Sequence, residues 1–139
     1  MLVQRDTGDR PRYRVLFTSL PYLSHLLAQL PLARAMRDAG HEVRLATSAA
    51  IAEMVRADGF AVVPVEFGKA LEPGLELRLR PRQPGKQPPK PRIRVAARVA
   101  PALTLAFEEW LPHVVVRDPL EFGSYLAAEQ AGIPHAVGR

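Results

Sequence analysis

The chain has 139 residues, of which 47% are hydrophobic and 24% are charged, so it is long enough for one domain with a buried core. It contains no cysteine, which excludes disulfide bonds and thiolate metal sites. No apolar run is long enough to cross a bilayer, and the polar start MLVQRDTGDRPR lacks the apolar core of a signal peptide. We therefore expect a cytoplasmic protein.

The net charge of +5 comes from one segment. Residues 78–98 hold eight Lys or Arg and no acidic residue, which leaves 11 basic and 14 acidic residues elsewhere. The segment has no aromatic side chain to stack on bases and is rich in proline, so we expect a solvated loop at about residues 68–92 and no nucleic-acid binding. In an alternative reading, Arg78, Arg80 and Arg82 contact an anionic acceptor or a donor phosphate.

The first strand and the first helix are predicted within residues 13–40. The apolar run at residues 13–18 predicts a strand. Apolar residues at helical spacing then predict a helix that starts near Leu30, because Pro31 costs no hydrogen bond in a first turn. This start leaves His25 ahead of the helix or in a loose first turn, and Gly40 ends the helix.

The alternation of strands and helices continues along the rest of the chain. Ser48 is predicted to cap the second helix, and Pro101 is predicted to kink the third helix or to start a new one. The further strands are predicted at residues 41–47, 60–65, 113–117 and from 133, and the further helices at 48–57, 93–110 and 120–131.

Continuously apolar strands that alternate with helices predict an α/β fold. The expected architecture is a Rossmann-like, doubly wound parallel sheet with helices on both faces. Ligands of such sheets lie at the carboxyl ends of the strands. The loops at residues 19–25, 66–92 and 118–121 meet at that edge. His25 and Asp118 approach each other if the first and fourth strands are neighbours.

A histidine paired with an aspartate at this edge can act as a general base. The imidazole accepts a proton near neutral pH, while the carboxylate fixes its tautomer and stabilises the imidazolium. The alternative for His25 is the common one for a lone histidine, an exposed side chain or a local hydrogen bond. The other histidines, His41, His113 and His135, show no metal-ligand spacing, so no metal site is expected.

Two segments resemble one enzyme family. FTSLPYLSHLLAQLPLARAMRDAGHEVRLAT, residues 17–47, is similar to the opening of the GT-B nucleotide-sugar glycosyltransferases of family 1 type, above all to the bacterial enzymes that glycosylate macrolides and enediynes. WLPHVVVRDPLEFGSYLAAEQAGIPHA, residues 110–136, is similar to their fourth strand, aspartate turn and following helix. The match departs from the family pattern at Ser24, Ala28 and His113, where glycine, proline and aspartate are usual.

The resemblance implies an inverting glycosyl transfer to a hydroxyl of a small-molecule acceptor. His25 stands where the family has its general base, and Asp118 stands where it has the partner carboxylate. The co-substrate would be a UDP- or TDP-linked sugar, with no metal and no other cofactor. The expected donor-binding residues are Ser19 and Ser24.

The acceptor pocket is expected to be apolar, which suits a polyketide-like acceptor. Its expected lining residues, each of which could equally belong to the core, are Tyr22, Leu23, Phe67, Leu120 and Phe122.

The resemblance covers only the first half of a GT-B enzyme. Residues 1–139 are expected to form a partial N-terminal acceptor-binding domain, with the C-terminal donor-binding domain absent. The chain would then be a fragment, a truncated product or one subunit of a split glycosyltransferase, with possible self-association or a partner subunit. A non-catalytic acceptor-binding or interaction module is the alternative. A generic nucleotide-binding Rossmann domain is disfavoured, since the glycine fingerprint is missing.

Overall fold

The computed structural model describes residues 10–67 and 91–138, in which strands and helices alternate. The elements are β1 (Arg14–Thr18), α1 (Leu23–Asp38), β2 (Glu42–Thr47), α2 (Ala49–Ala57), β3 (Ala61–Pro64), α3 (Pro91–Trp110), β4 (Val114–Arg117), α4 (Phe122–Ala131) and β5 (His135–Val137). None of the described helices is both long enough and apolar enough to cross a membrane.

The five strands form one parallel sheet in the order β3-β2-β1-β4-β5. The central strand β1 lies between β2 and β4, so that Phe17 is in register with Leu45 on one side and Val116 on the other. This order confirms the predicted doubly wound fold, including the neighbouring first and fourth strands. It brings the ends of β1 and β4 side by side.

Helices cover both faces of the sheet, and each face has its own apolar core. On one face, α1 and α2 pack on the strands through Leu26, Leu30, Ala33 and Val55. On the other face, α3 and α4 pack through Val95, Val99, Leu103, Phe107, Ala127 and Ala128. Successive residues of β1 serve opposite faces, as the pleat of a strand requires.

The prediction for the start of α1 was wrong. The helix begins at Leu23 and runs through Pro31, which lies inside it. Proline removes one hydrogen bond to the carbonyl of residue i−4, here Leu27, and Leu27 is half exposed. Burial of the apolar face of α1 against the sheet offsets this loss.

Two further local predictions were wrong in part. Ser48 is the N-cap residue of α2, but its side chain makes no capping hydrogen bond, and its Oγ is buried without a partner among the described residues. Pro101 starts no new helix, because α3 is continuous from Pro91 to Trp110, and the alternative of a kink at Pro101 stays a prediction. The helix therefore includes residues 91 and 92, which were predicted to belong to the loop. The rest of that loop, with Arg78, Arg80 and Arg82, lies outside the described residues.

The start of α4 is fixed by a buried carboxylate and a close contact. Glu121 is 1% exposed, and its side chain accepts hydrogen bonds from the backbone N–H groups of Gly123 and Ser124, as an N-cap residue does. A Cβ at Gly123 would lie 2.6 Å from the Cβ of Val99 in α3. Glycine thus allows α3 and α4 to approach closely.

Candidate functional site

The candidate site lies where β1 and β4 end. The two strands are paired up to Thr18 and Arg117, and the N–H of Asp118 donates to the carbonyl of Thr18 at 3.0 Å. The chain then leaves the sheet on both strands, toward α1 and α4. Asp118 is thereby placed at the carboxyl edge, where ligands of parallel sheets bind.

The first turn of α1 brings His25 to Asp118. His25 lies two residues after the start of the helix, and its backbone N–H donates to the carbonyl of Tyr22 at 3.1 Å. Its Nδ1 is 2.5 Å from Oδ2 of Asp118. The imidazole side chain is 27% exposed and the carboxylate 2%. The predicted proximity of the two residues is present in the structure.

The carboxylate of Asp118 is held by two backbone groups as well. Oδ2 accepts from the N–H of Leu20 at 3.3 Å, and Oδ1 accepts from the N–H of Leu120 at 2.9 Å. With His25, three hydrogen bonds satisfy this buried group, as burial of a carboxylate requires. The position of Asp118 is therefore fixed from three sides.

This geometry determines how the imidazole can react. An ionised carboxylate only accepts hydrogen bonds, so a neutral imidazole in this contact carries its proton on Nδ1. Nε2 then carries the lone pair and can accept a proton from a bound hydroxyl. Within the described part of the chain, Nε2 has no hydrogen-bond partner.

A cavity of about 330 Å³ opens beside the pair. Its wall includes one face of α1, the turn after β4 and the residue after β5. The lining residues are Ser24, His25, Ala28, Gln29, Asp118, Pro119, Leu120 and Gly138. The cavity is large enough for part of a drug-sized molecule and has the imidazole in its wall.

Four of the residues expected at the site line this cavity: Ser24, His25, Asp118 and Leu120. The other five do not. Ser19 is buried and its hydroxyl donates to the carbonyl of Leu20 at 2.8 Å.

The remaining expected acceptor residues are either exposed or packed in or against the core. Phe67 is buried in the core beneath α3 and α4, and Tyr22 packs against the same core. The Tyr22 ring centroid is 5.6 Å from that of His25. Leu23 and Phe122 are exposed.

Four lining residues were not predicted from the sequence: Ala28, Gln29, Pro119 and Gly138. Ala28 and Gln29 follow Ser24 and His25 by four residues, the spacing that puts side chains on one face of a helix. This spacing was not used in the prediction, because the helix was predicted to begin only at Leu30. Gly138 could not be predicted as a lining residue from the sequence, since only the sheet order brings the end of β5 to α1.

The other three histidines make local contacts. Nδ1 of His41 accepts from the N–H of Tyr13 at 3.2 Å, and Nδ1 of His113 accepts from the N–H of Arg14 at 2.8 Å. Nε2 of His135 is 2.7 Å from Oε1 of Glu129. In the described ranges, no three His, Cys, Asp or Glu side chains are grouped as metal ligands.

Known proteins similar to this chain are glycosyltransferases. It is 33% identical over 135 residues to the L-demethylnoviosyl transferase of Streptomyces niveus, an alignment that covers 90% of this chain and 35% of that protein. The chain therefore spans about a third of the length of this relative. No model of a protein family matches the chain.

Solved structures show the same fold. SsfS6, a glycosyltransferase of Streptomyces sp. SF2575, superposes with a TM-score of 0.73 at 24% identity, covering 91% of this chain and 39% of that one. VinC, a glycosyltransferase in complex with DTDP, superposes with a TM-score of 0.65 at 30% identity, covering 88% of this chain and 33% of that one. The chain is therefore homologous to the N-terminal part of the bacterial natural-product glycosyltransferases and has the Rossmann-like fold of that half of a GT-B enzyme.

Proposed function

We propose that this chain forms the acceptor-binding part of an inverting glycosyltransferase, in which His25 is the general base. The observation that carries the proposal is the 2.5 Å contact between Nδ1 of His25 and Oδ2 of Asp118 in the wall of a cavity. An imidazole oriented in this way presents a basic nitrogen to whatever hydroxyl enters the cavity.

The reaction follows from that placement. Nε2 of His25 takes the proton of the acceptor hydroxyl as its oxygen attacks the anomeric carbon of the sugar. A new carbon–oxygen bond forms on the face opposite the leaving group, and the bond from the anomeric carbon to the diphosphate oxygen breaks. The nucleoside diphosphate leaves with the electron pair. Asp118 stabilises the imidazolium while it exists.

The acceptor is proposed to be a hydroxylated polyketide. Relatives of this chain are named for transfer to 10-deoxymethynolide, tylactone and aklavinone. The mixed wall of the cavity suits such molecules, because Ala28, Pro119 and Leu120 are apolar while Ser24 and His25 are polar. Apolar contact supplies affinity and a few polar groups fix orientation.

The donor is proposed to be a TDP-linked sugar, with a UDP-linked sugar as the second choice. VinC is solved with DTDP, and another relative is a TDP-daunosamine transferase. Ser24 is the donor-binding candidate that lies in the wall of the cavity. The diphosphate itself would be bound by the part of such an enzyme that corresponds to the other two thirds of the relatives.

The test joins residues 1–139 to the remaining part of the L-demethylnoviosyl transferase and supplies TDP-sugars with a panel of 10-deoxymethynolide, tylactone and aklavinone. We expect sugar transfer to at least one of them, with an inverted anomeric configuration in the product by NMR. Binding of these acceptors without any transfer would instead favour a non-catalytic acceptor-binding module. Retention of configuration would contradict the inverting mechanism.

A further inference from the structure

The side chain of Gln29 is buried with both polar atoms unpaired. The residue is 3% exposed, and neither Nε2 nor Oε1 has a hydrogen-bond partner among the described residues. Buried amides are nearly always hydrogen-bonded, because an unpaired one has lost its water without a replacement. Gln29 therefore has hydrogen-bonding capacity that the described fold does not use.

Gln29 lies in the same cavity as the proposed base. It follows His25 by four residues in α1, so the two Cβ atoms are about 5–6 Å apart on one face of the helix. Both side chains line the cavity beside Asp118. The hydrogen bonds of Asp118 go to His25 and to two backbone N–H groups, and none goes to Gln29.

The residue after β5 packs beside the amide. A Cβ built on Gly138 would lie 3.5 Å from Nε2 of Gln29 and 3.1 Å from Cγ1 of Val116. A larger residue at Gly138 would thus crowd this corner. The two polar atoms of the amide are buried. Since the terminal torsion of a glutamine is soft, the directions of its donor and acceptor can change without movement of the helix.

The other buried polar atoms without a partner do not share this position. Thr47, Ser48 and Arg117 also have such atoms in the part of the chain that the structure describes. None of the three lines the cavity. Gln29 combines an unpaired, buried amide with a place in the wall next to the imidazole.

We propose that Gln29 is a specificity residue, which hydrogen-bonds a second oxygen of the acceptor next to the hydroxyl that reacts. An amide both donates and accepts, so the second oxygen can be a carbonyl or a hydroxyl. The acceptor class is a hydroxyl with another oxygen a few ångströms away, as in β-hydroxy carbonyl compounds and 1,3-diols. The inference rests on the proposed function, because it assumes that the cavity holds the acceptor.

The test compares the chain with its Gln29→Met variant, in which an apolar side chain of similar length replaces the amide. Titration calorimetry with 10-deoxymethynolide, tylactone and aklavinone gives the Kd, and thermal unfolding gives the Tm. We expect the Kd of the acceptor that binds best to rise about tenfold, while the Tm stays equal or rises by a few degrees. Gln29→Leu serves as a second variant if Gln29→Met does not fold.

Gln130→Met is the matched control, because Gln130 is exposed near the end of α4, and it should leave the Kd unchanged. A Kd of Gln29→Met within twofold of the parent would overturn the inference and leave the proposed function standing. A Tm lowered by several degrees would also overturn it, since the amide would then have a partner within the protein. If none of the three acceptors binds the parent chain, the proposed function fails together with the inference.

Discussion

His25 and Asp118 lie 93 residues apart in the sequence, yet Nδ1 of the one is 2.5 Å from Oδ2 of the other. The contact joins the first turn of α1 to the turn after β4, and both segments border the same cavity. Two backbone N–H groups hold the carboxylate, so the imidazole is oriented by a rigid partner. Each half of the pair can be tested separately.

Replacement of His25 by alanine should abolish most glycosyl transfer in the assembled enzyme. General-base catalysis is commonly worth about 10²- to 10⁴-fold, so we expect kcat to fall by that factor. His25 is on the cavity wall, so the change should leave the far-ultraviolet circular dichroism nearly intact, while the loss of one hydrogen bond to the buried Asp118 carboxylate should lower the Tm by a few degrees. His41→Ala is the control, since His41 contacts Tyr13 at the start of β1, the opposite end of that strand. Near-native turnover of His25→Ala would exclude His25 as the base.

Replacement of Asp118 by asparagine should lower both turnover and stability. The amide of asparagine has one accepting oxygen, so it cannot accept from both Leu20 and Leu120 as the carboxylate does. One buried N–H then loses its partner, which costs about 1–3 kcal/mol in the free energy of unfolding. The imidazole also loses the charge that stabilises its protonated form.

Denaturant unfolding and steady-state kinetics measure the two effects of Asp118→Asn. Asp58→Asn is the matched control, because Asp58 pairs with Arg34 at the surface, and a surface ion pair is worth less than about 1 kcal/mol. If Asp118→Asn matched this control in stability and retained full turnover, Asp118 would neither support the fold nor orient the base.

Replacement of Gly123 by alanine should destabilise the fold, against the usual preference of helices for alanine. The new Cβ would lie 2.6 Å from Cβ of Val99 and 2.7 Å from Oε1 of Glu121. Overpacking of this kind costs about 1–3 kcal/mol. Urea unfolding measures the loss, and Gln130→Ala on the exposed side of α4 should change stability by less than about 0.5 kcal/mol. A Gly123→Ala variant as stable as the parent would show that α3 and α4 can separate freely.

A polypeptide of residues 1–139 assayed alone should transfer no sugar from any TDP- or UDP-linked donor, because it spans about a third of its relative. We also expect it to self-associate. Val137 in the edge strand β5 is 42% exposed, and edge strands present unpaired backbone groups to other chains. Sedimentation velocity measures the mass, and a clean monomer would contradict the second expectation. Robust transfer by the polypeptide alone would contradict the first.

The sequence by itself determined the architecture and the two central residues of the site. Apolar runs such as residues 13–18 alternate with helical patterns, and this alternation is typical of a parallel sheet covered by helices. Because ligands of such sheets lie at the carboxyl ends of the strands, the positions of His25 and Asp118 after the first and fourth strands already placed them at one edge.

The tertiary structure decided where α1 begins and which side chains share the cavity. Local chemistry puts Pro31 in a first turn, but burial of Leu26 and Leu30 against the sheet extends the helix back to Leu23, since packing outweighs one lost hydrogen bond. That extension places Gln29 one turn beyond His25. Its unpaired amide could not be foreseen, because whether a buried group has a partner depends on residues that are distant in the sequence and adjacent only in the folded chain.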